Sequence, residues 1–398
     1  MSDAAFNVTL EFVMRNTPIV QSIKPFVLIC LLVISAGCGN KGALQNGPHT
    51  EYYPTGEVHY EGNYVDGQIE GTLKEFYRSG ELLGEWTYVK SRLEGAFKKY
   101  YKSGKLMTEG TYAHDKLNGM IFEYFENGNV KTKINYKDDN PDGVVLRYYE
   151  DGSLKGEGNL VNGTGSYAEY YIEGTMKRAD TFNNGQMDGV SKEYWPSGQL
   201  RTIEGFRNGK RHGPLKSYSE SGRLAFSWNY VNGERDGQGR EYYDSGAWKK
   251  VLEYQNGRLE GEVKAYYETG EVERVEFYKN DRLEGTVEVY NRNGTLKERS
   301  QYKEGNLEGL KQVYNTDGKL ISETTYVNNR RNGPSKEYYE NGSVKLLENY
   351  VDDRRQGISQ RFHEQGGVQT ERQYKDDKVV VQRQFDRNGN LIVEQKFD

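Results

Sequence analysis

The sequence has 398 residues, of which 33 are Tyr and 47 are Gly, and only 35% are hydrophobic. Disordered chains are poor in aromatic residues, so disorder is a poor explanation of this composition, and the shortage of Leu, Ile and Val argues against a thick aliphatic core. The net charge of −5 offers no basic surface for phosphate backbones, which argues against nucleic acid as a partner.

Residues 1–37 have the pattern of a signal peptide. Met14 is the more natural start, because Arg15 and Lys24 then form a positive segment ahead of the apolar run 25–37. That run is too short to span a bilayer comfortably and suits the hydrophobic region of an export signal. The sequence therefore predicts that the remaining chain is exported.

The end of this signal resembles a bacterial lipobox. Small residues precede Cys38, although Ser35 stands where Leu or Val is usual. The resemblance implies that Cys38 is diacylated and becomes the new N-terminus, with residues 38–50 as the lipidated N-terminus and linker. Such an anchor would attach a soluble domain to the membrane face without crossing it. The alternative is a cleaved signal followed by an incidental cysteine.

A repeat of 24 residues occupies the rest of the chain. Self-similarity at a fixed period is the signature of repeat architectures. The spacing between recurrent glycines is 24 everywhere except 22 from Gly152 to Gly174 and 23 at the last step. We number each repeat from this glycine as position zero. The glycines are Gly56, Gly80, Gly104, Gly128, Gly152, Gly174, Gly198, Gly222, Gly246, Gly270, Gly294, Gly318, Gly342, Gly366 and Gly389.

Side chains around this glycine follow the alternation of β-strands. Position −4 is aromatic in every repeat, position +2 is apolar, and position +8 is aromatic except at Leu160. Positions +2 and +8 have the same parity and should share one face of a strand, and we expect −4 on that packed face too. Pairs such as Asp66-Gly67 at +10 and +11 are typical of tight hairpin turns. A further glycine at +15, such as Gly71, indicates a bulge or a close backbone approach.

Each repeat thus consists of two strands and two short turns, without room for a helix. Hairpins joined by short turns pair antiparallel with their sequence neighbours, and stacking supplies the burial that one hairpin lacks. The predicted fold class is all-β: an elongated, single-layer antiparallel meander of about fifteen β-hairpin repeats over residues 51–398.

Two stretches carry a family resemblance. Residues 60–71 and 204–213 look like the MORN repeat, and the additional aromatic half of each unit makes it similar to the variant MORN family that includes YwqK-type antitoxins. The resemblance covers residues 51–398. It implies an elongated single-sheet fold that contacts protein or lipid. An antitoxin role is implied by the resemblance alone; a lipobox fits an immunity protein against an exported toxin better than an antitoxin working in the cytoplasm.

The sequence contains no constellation that predicts catalysis. Its five histidines are scattered over different repeats and offsets, whereas a catalytic or metal site needs several convergent groups. The acidic stretch 138–143 is superficially like a calcium loop, but it lacks the later glutamate and lies on a turn between strands. We therefore expect neither an enzyme nor a bound cofactor or metal.

Position −3 supplies the candidate binding face. An aromatic residue stands there in ten of the fifteen repeats, including each of the first seven. Exposed aromatic strips mark interaction surfaces, while the alternative is cross-strand packing that stiffens a single-layer sheet. The candidate residues are Tyr53, Tyr77, Tyr101, Phe125, Tyr149, Tyr171 and Trp195.

These features lead to three functional hypotheses. The first is a non-catalytic scaffold that is anchored through its N-terminal lipid in the bacterial cell envelope, on the periplasmic face or the cell surface, and binds a protein partner outside the cytoplasm. The second is an antitoxin or immunity protein that neutralises a toxin. The third is a protein that binds an envelope glycan through the rings at −3.

Overall fold

Buried and more exposed side chains alternate along many of the β-strands in the part of the chain that the structure describes, residues 46–397 of a computed structural model. Every regular element in that range is a strand, and each pairs antiparallel with its neighbours, which confirms the predicted all-β hairpin fold. None of the described residues forms a helix that could cross a bilayer. The predicted signal peptide 1–37, with its start at Met14 and the lipidation site Cys38, lies outside the described residues.

The chain forms two compact units. The first extends to His212 and includes Glu220–Gly222, and the second comprises Gly213–Ser219 and Arg223–Asp398. The first unit contains β1 Gly47–Tyr52, β2 Val58–Val65, β3 Gln68–Ile69, β4 Gly71–Phe76, β5 Leu82–Val89, β6 Arg92–Tyr100, β7 Leu106–Ala113, β8 Lys116–Leu117, β9 Gly119–Tyr124, β10 Val130–Lys137, β11 Asn140–Tyr148, β12 Leu154–Val161, β13 Thr164–Tyr170, β14 Met176–Asn183, β15 Gln186–Met187, β16 Gly189–Tyr194 and β17 Leu200–Arg207.

The boundary between the units falls within β18, Lys210–Tyr218. The second unit then contains β19 Leu224–Val231, β20 Glu234–Arg235, β21 Gly237–Tyr242, β22 Trp248–Gln255, β23 Arg258–Leu259, β24 Gly261–Tyr266, β25 Val272–Lys279, β26 Arg282–Leu283, β27 Gly285–Tyr290, β28 Leu296–Lys303, β29 Asn306–Tyr314, β30 Leu320–Val327, β31 Arg330–Tyr338, β32 Val344–Val351, β33 Arg354–Arg355, β34 Gly357–Phe362, β35 Val368–Lys375, β36 Lys378–Phe385 and β37 Leu391–Lys396.

The hairpin of β5 and β6 shows the turn and bulge of a typical repeat. Lys90 and Ser91, at +10 and +11, both have positive φ, as tight hairpin turns require. Beyond the turn, Tyr88 pairs with Leu93. The pairing then shifts, because β6 carries extra residues around Gly95, whose φ is +105°. The predicted bulge at the glycine of position +15 is confirmed in this hairpin.

One face of each unit's sheet forms its core. In β5 the side chains of Trp86 and Tyr88 are buried, and Thr87 between them is more exposed. Trp86 pairs with Leu73 on one side and Phe97 on the other. We call the face that carries Trp86 and Phe97 the core face, and the opposite face, which carries Glu85, the outer face. The core of the first unit comprises Tyr60, Ile69, Leu73, Trp86, Tyr88, Leu93, Phe97, Tyr112, Leu117, Ile121, Ile134, Tyr136, Val145, Leu160, Tyr167, Phe182 and Met187.

The expectation that the −4 aromatic shares the face of +8 is wrong. The hydroxyl of Tyr100 donates a hydrogen bond to Glu85 at 2.8 Å, and that of Tyr124 donates to Glu109 at 2.7 Å, so these rings lie on the outer face. The physical reason is a shift in register between Lys99 and Tyr100, and at the same place in other repeats. The turn and this bulge interrupt the period of two, so parity cannot be counted across them.

A second set of hydrogen bonds fastens each hairpin turn to the preceding one. The amide of Asp115 donates to the carbonyl of Leu93 at 3.1 Å, and the Asp115 carboxylate accepts from the Leu93 amide at 2.8 Å. Asp139 makes the same two bonds with Leu117 at the same distances. We call this pair of bonds the turn staple. It links a residue at +11 to a residue 22 positions earlier.

Candidate functional site

The aromatic residues at −3 lie in the turns that follow the strands. In a typical turn the Tyr101 amide donates to the carbonyl of Lys105, and the Gly104 amide donates to the carbonyl of Tyr101, each at 2.8 Å. The ring at −3 therefore begins a turn and lies along the edge of the repeat array.

The tyrosine hydroxyls at −3 connect one repeat to the next. Each donates to the backbone carbonyl of the −4 residue of the following repeat, at 2.7–2.9 Å, and the side chains are half-buried. Burial raises the pKa of Tyr77 and Tyr101, so both phenols stay protonated donors at neutral pH. These bonds join Tyr53 to Phe76, Tyr77 to Tyr100, Tyr101 to Tyr124, Tyr149 to Tyr170 and Tyr171 to Tyr194. Phe125, which has no hydroxyl, and Trp195 complete the row of candidate residues.

Cations cover several ring faces along this edge. The Lys155 ammonium lies 5.3 Å from the centroid of Tyr149, and the Arg201 guanidinium lies 4.6 Å from that of Trp195. Contacts of this length are cation–π interactions. The tyrosine hydroxyls donate to the next repeat, and cations cover several of the ring faces. These contacts favour a structural role for much of this edge, and binding by the edge stays a prediction.

A groove that sequence reasoning missed opens on the outer face of β11–β16. Its volume is about 660 Å³. Direct cross-strand partners form one row along it: Leu146 with Glu157, Glu157 with Ala168, Ala168 with Ala179, and Ala179 with Lys192. The two alanines form the floor, because their methyl groups leave room above the strands.

Small side chains explain why the groove is large. The corresponding positions of an earlier repeat hold Glu85 and Lys98, and the depression beside them measures only about 250 Å³. Apolar side chains flank the larger groove: Val144 is 42% exposed and Val190 is 50% exposed. The alanines at −6 and +5 were the signal in the sequence that could have revealed it.

The groove coincides with the one repeat of 22 residues. Its hairpin, β12 with β13, pairs from Gly156 with Glu169 to Val161 with Thr164 without any shift in register. The two-residue deletion thus removes the bulge that the other hairpins carry. Gly165 lies so close to the opposite strand that a Cβ there would overlap the carbonyl oxygen of Asn159.

Both acidic residues at the groove have partners: the Glu157 carboxylate faces the groove, and the Asp180 carboxylate lies behind the floor on the core face. Tyr170 donates a hydrogen bond to Glu157 at 2.6 Å, and this bond, together with burial, raises the pKa of Tyr170. Asp180 is buried, 2.7 Å from Arg178, and accepts from Ser191 at 2.6 Å. Among residues 46–397, no three His, Cys, Asp or Glu side chains are grouped to hold a metal. The site is therefore suited to binding through shape and apolar contact.

Comparison with known proteins identifies similar repeats. The MORN repeat variant profile matches residues 45–66, 69–90, 93–114, 117–138, 141–162, 187–208, 211–232, 259–280, 283–304, 307–328 and 331–352. The MORN repeat profile matches residues 205–214 and 229–248. No curated protein matches the chain.

Solved structures show only a distant likeness. A chain in the crystal structure of TcdB2-TccC3-Cdc42 is 12% identical over 87% of this chain, with a TM-score of 0.16. A chain in the structure of the Photorhabdus luminescens Tc holotoxin pore is 10% identical over 88%, with a TM-score of 0.14. The matched regions span 22% and 25% of those chains. Likeness this weak carries no argument about fold or function.

Proposed function

Because this chain belongs to the MORN repeat variant family, whose repeats suggest scaffolds for protein or membrane interaction, we propose that it is a non-catalytic scaffold that binds a protein partner. The docking surface that we assign is the groove over Ala168 and Ala179. The observation that carries this proposal is the groove itself: a concave, apolar depression on the repeat that departs from the common length.

The shape of the groove and its exposed apolar side chains favour it as a docking surface. Side chains that fill concave, desolvated pockets provide most of the binding energy in protein interfaces. Val144 and Val190 leave apolar surface in contact with water beside the groove, and burying it under a partner would be favourable.

We also propose that the scaffold is held in the bacterial cell envelope by a lipid on Cys38. The first strand begins at Gly47, within the segment assigned to the linker, so a lipidated Cys38 would hold the array close to the membrane. An immunity protein would use the same groove, with an exported toxin as the partner. The engaged tyrosine hydroxyls make the aromatic edge a less suitable glycan platform than free rings would be.

A photo-crosslinking amino acid at Val190 should capture one discrete protein in cells. Adding Ala168→Lys and Ala179→Glu should abolish that adduct, because these substitutions give the groove the side-chain types found at Lys98 and Glu85. Since those residues fit the same positions in another repeat, the double variant should fold normally by circular dichroism. Adducts would be identified by mass spectrometry.

The matched control is the same crosslinker at Val65, which is 42% exposed on an outer strand position of the first unit. Equal capture at Val65, or an adduct that survives the filled groove, would show that the groove is not the docking surface. An adduct of the chain with itself would mean that the groove binds a second copy of the chain and not a different protein.

Cys38→Ser should release the chain from the membrane fraction. A serine cannot form the thioether to the lipid, so the variant would lack the membrane attachment that the lipid supplies. Fractionation and immunoblotting measure the outcome. The control is Cys30→Ser, since Cys30 would leave with the signal peptide and its replacement should change nothing. Persistent membrane association of Cys38→Ser would refute the lipid anchor.

A further inference from the structure

We infer that the segment bound in the groove is acidic as well as apolar, because a strip of unpaired lysines borders the groove. This inference rests on the proposed function and specifies the chemistry of its partner. The strip lies on β10: Lys133 and Lys137 share one face with Asn135 between them, and Lys131 stands at the register shift between Val130 and Thr132. We call these three residues the lysine strip.

Strand pairing places the strip beside the groove. Lys133 pairs with Leu146, which forms the first residue of the groove row. At the far end of the row stands Lys192, which is exposed. Strands lie about 4.8 Å apart, so the distance from Lys133 to Lys192 over β10–β16 is roughly 24 Å. An extended segment of about seven residues would cover that distance.

No carboxylate neutralises these cations. Within residues 46–397, the lysine strip and Lys192 form no ion pair; the Lys133 ammonium lies 5.6 Å from the ring centroid of Phe122. Glu157, the acidic side chain that faces the groove, accepts a hydrogen bond from Tyr170, and the Asp180 carboxylate pairs with Arg178 on the core face. The positive potential of the strip is therefore available to a ligand.

The repeats themselves show that the fold does not require these lysines. The corresponding positions of β7 carry Met107, Glu109 and Ala113. Four other repeats of the first unit carry glutamate at position +5, and two of these glutamates accept a hydrogen bond from the −4 tyrosine 15 residues later. Those glutamates are Glu61, Glu85, Glu109 and Glu157. Lys133 reverses the charge at this position, next to the enlarged groove.

A protein segment fits these features better than a bilayer does. Carboxylates would approach the lysine strip, and an apolar side chain would enter the depression between Val144 and Val190. A flat anionic membrane could meet the lysines, but it could not fill a groove whose floor is Ala168 and Ala179. Charge complementarity of this kind steers encounter and fixes the register of the bound segment.

The test uses random dodecapeptides displayed on phage and selected against the purified full chain. Enriched peptides should combine Asp or Glu with a large apolar residue, and their binding should weaken as salt is raised. The test variant carries Lys131→Met, Lys133→Glu and Lys137→Ala, which reproduce β7. It should fold normally and bind an enriched peptide about tenfold more weakly. Lys98→Glu, at the same repeat position as Lys192 but away from the groove, should leave binding unchanged.

The outcomes separate this inference from the proposed function. The acidic partner would be overturned if neutral or basic peptides were enriched, or if the strip variant bound an enriched peptide as tightly as the original chain. Loss of binding in the Ala168→Lys, Ala179→Glu variant would still support the groove as the docking surface. If the peptides bound the Ala168→Lys, Ala179→Glu variant as tightly as the original chain, both the groove as docking surface and the acidic partner would be overturned. Binding to vesicles of phosphatidylserine and phosphatidylcholine is measured separately. If the chain binds the vesicles through the lysine strip and no acidic peptides are enriched, the strip binds a membrane and the acidic partner is overturned.

Discussion

Replacing Trp86 with alanine is expected to lower the free energy of unfolding of the first unit by about 3–5 kcal/mol. The Trp86 side chain is only 1% exposed, and its strand partners are Leu73 and Phe97. Its ring covers Gly84, where a Cβ would lie 2.5 Å from a ring atom. No neighbouring strand can move in to fill the space without breaking its own pairing, so the cavity should remain.

Urea denaturation followed by far-UV circular dichroism measures this loss. Trp248→Ala is the matched control, because Trp248 is 48% exposed on the second unit and should cost about 1 kcal/mol or less. In repeat proteins, stability is approximately the sum of repeat and nearest-neighbour terms, so the loss should be confined to the cooperative unit around Trp86. Similar losses for the two tryptophans would contradict the core assigned to the first unit.

Gly165→Ala should also be strongly destabilising, by about 3 kcal/mol or more. Gly165 has a φ of +149°, and its added methyl group would overlap the Asn159 carbonyl on the facing strand. Relief would require the backbones of β12 and β13 to separate, which would distort the hairpin that forms the centre of the groove.

Gly174→Ala separates the strain of a positive φ from the steric overlap with the facing backbone. Gly174 has a φ of +87° but nothing within 4 Å of an added Cβ, so its substitution should cost only the conformational strain, about 1–2 kcal/mol. Thermal denaturation compares the two variants. Equal losses would mean that backbone contact at Gly165 contributes nothing. Peptide binding should decrease for Gly165→Ala and stay unchanged for Gly174→Ala.

Local sequence was sufficient for the hairpins and the repeat length. Asp66 and Gly67 adopt the positive φ that was predicted for positions +10 and +11, and Trp86 and Tyr88 follow the alternation of a half-buried strand. These features depend on neighbours close in sequence. The placement of Tyr100 could not be predicted, because it depends on a register shift that no periodicity encodes.

The groove shows a second limit of sequence reasoning. Ala168 and Ala179 are unremarkable when each is considered in its own strand; they form a floor only because the register places them opposite each other. The sequence shows only that one repeat is two residues shorter than the others, whereas in the structure this deletion removes a bulge. The rings at −3 were predicted to form either an exposed binding strip or cross-strand packing, and the bonds of these tyrosines to the next repeat depend on how far apart successive turns lie.

Because the turn staple is the same in successive repeats, one repeat can take the place of another in the array. Asp115 bonds to Leu93 and Asp139 bonds to Leu117 with the same atoms at the same separation in sequence. Removing one complete repeat between them would bring Asp139 to the position that Asp115 held, with every donor again facing an acceptor. Recombination between such similar segments of a gene could therefore lengthen or shorten the protein in whole steps, while the groove, tied to one irregular repeat, would keep its own structure.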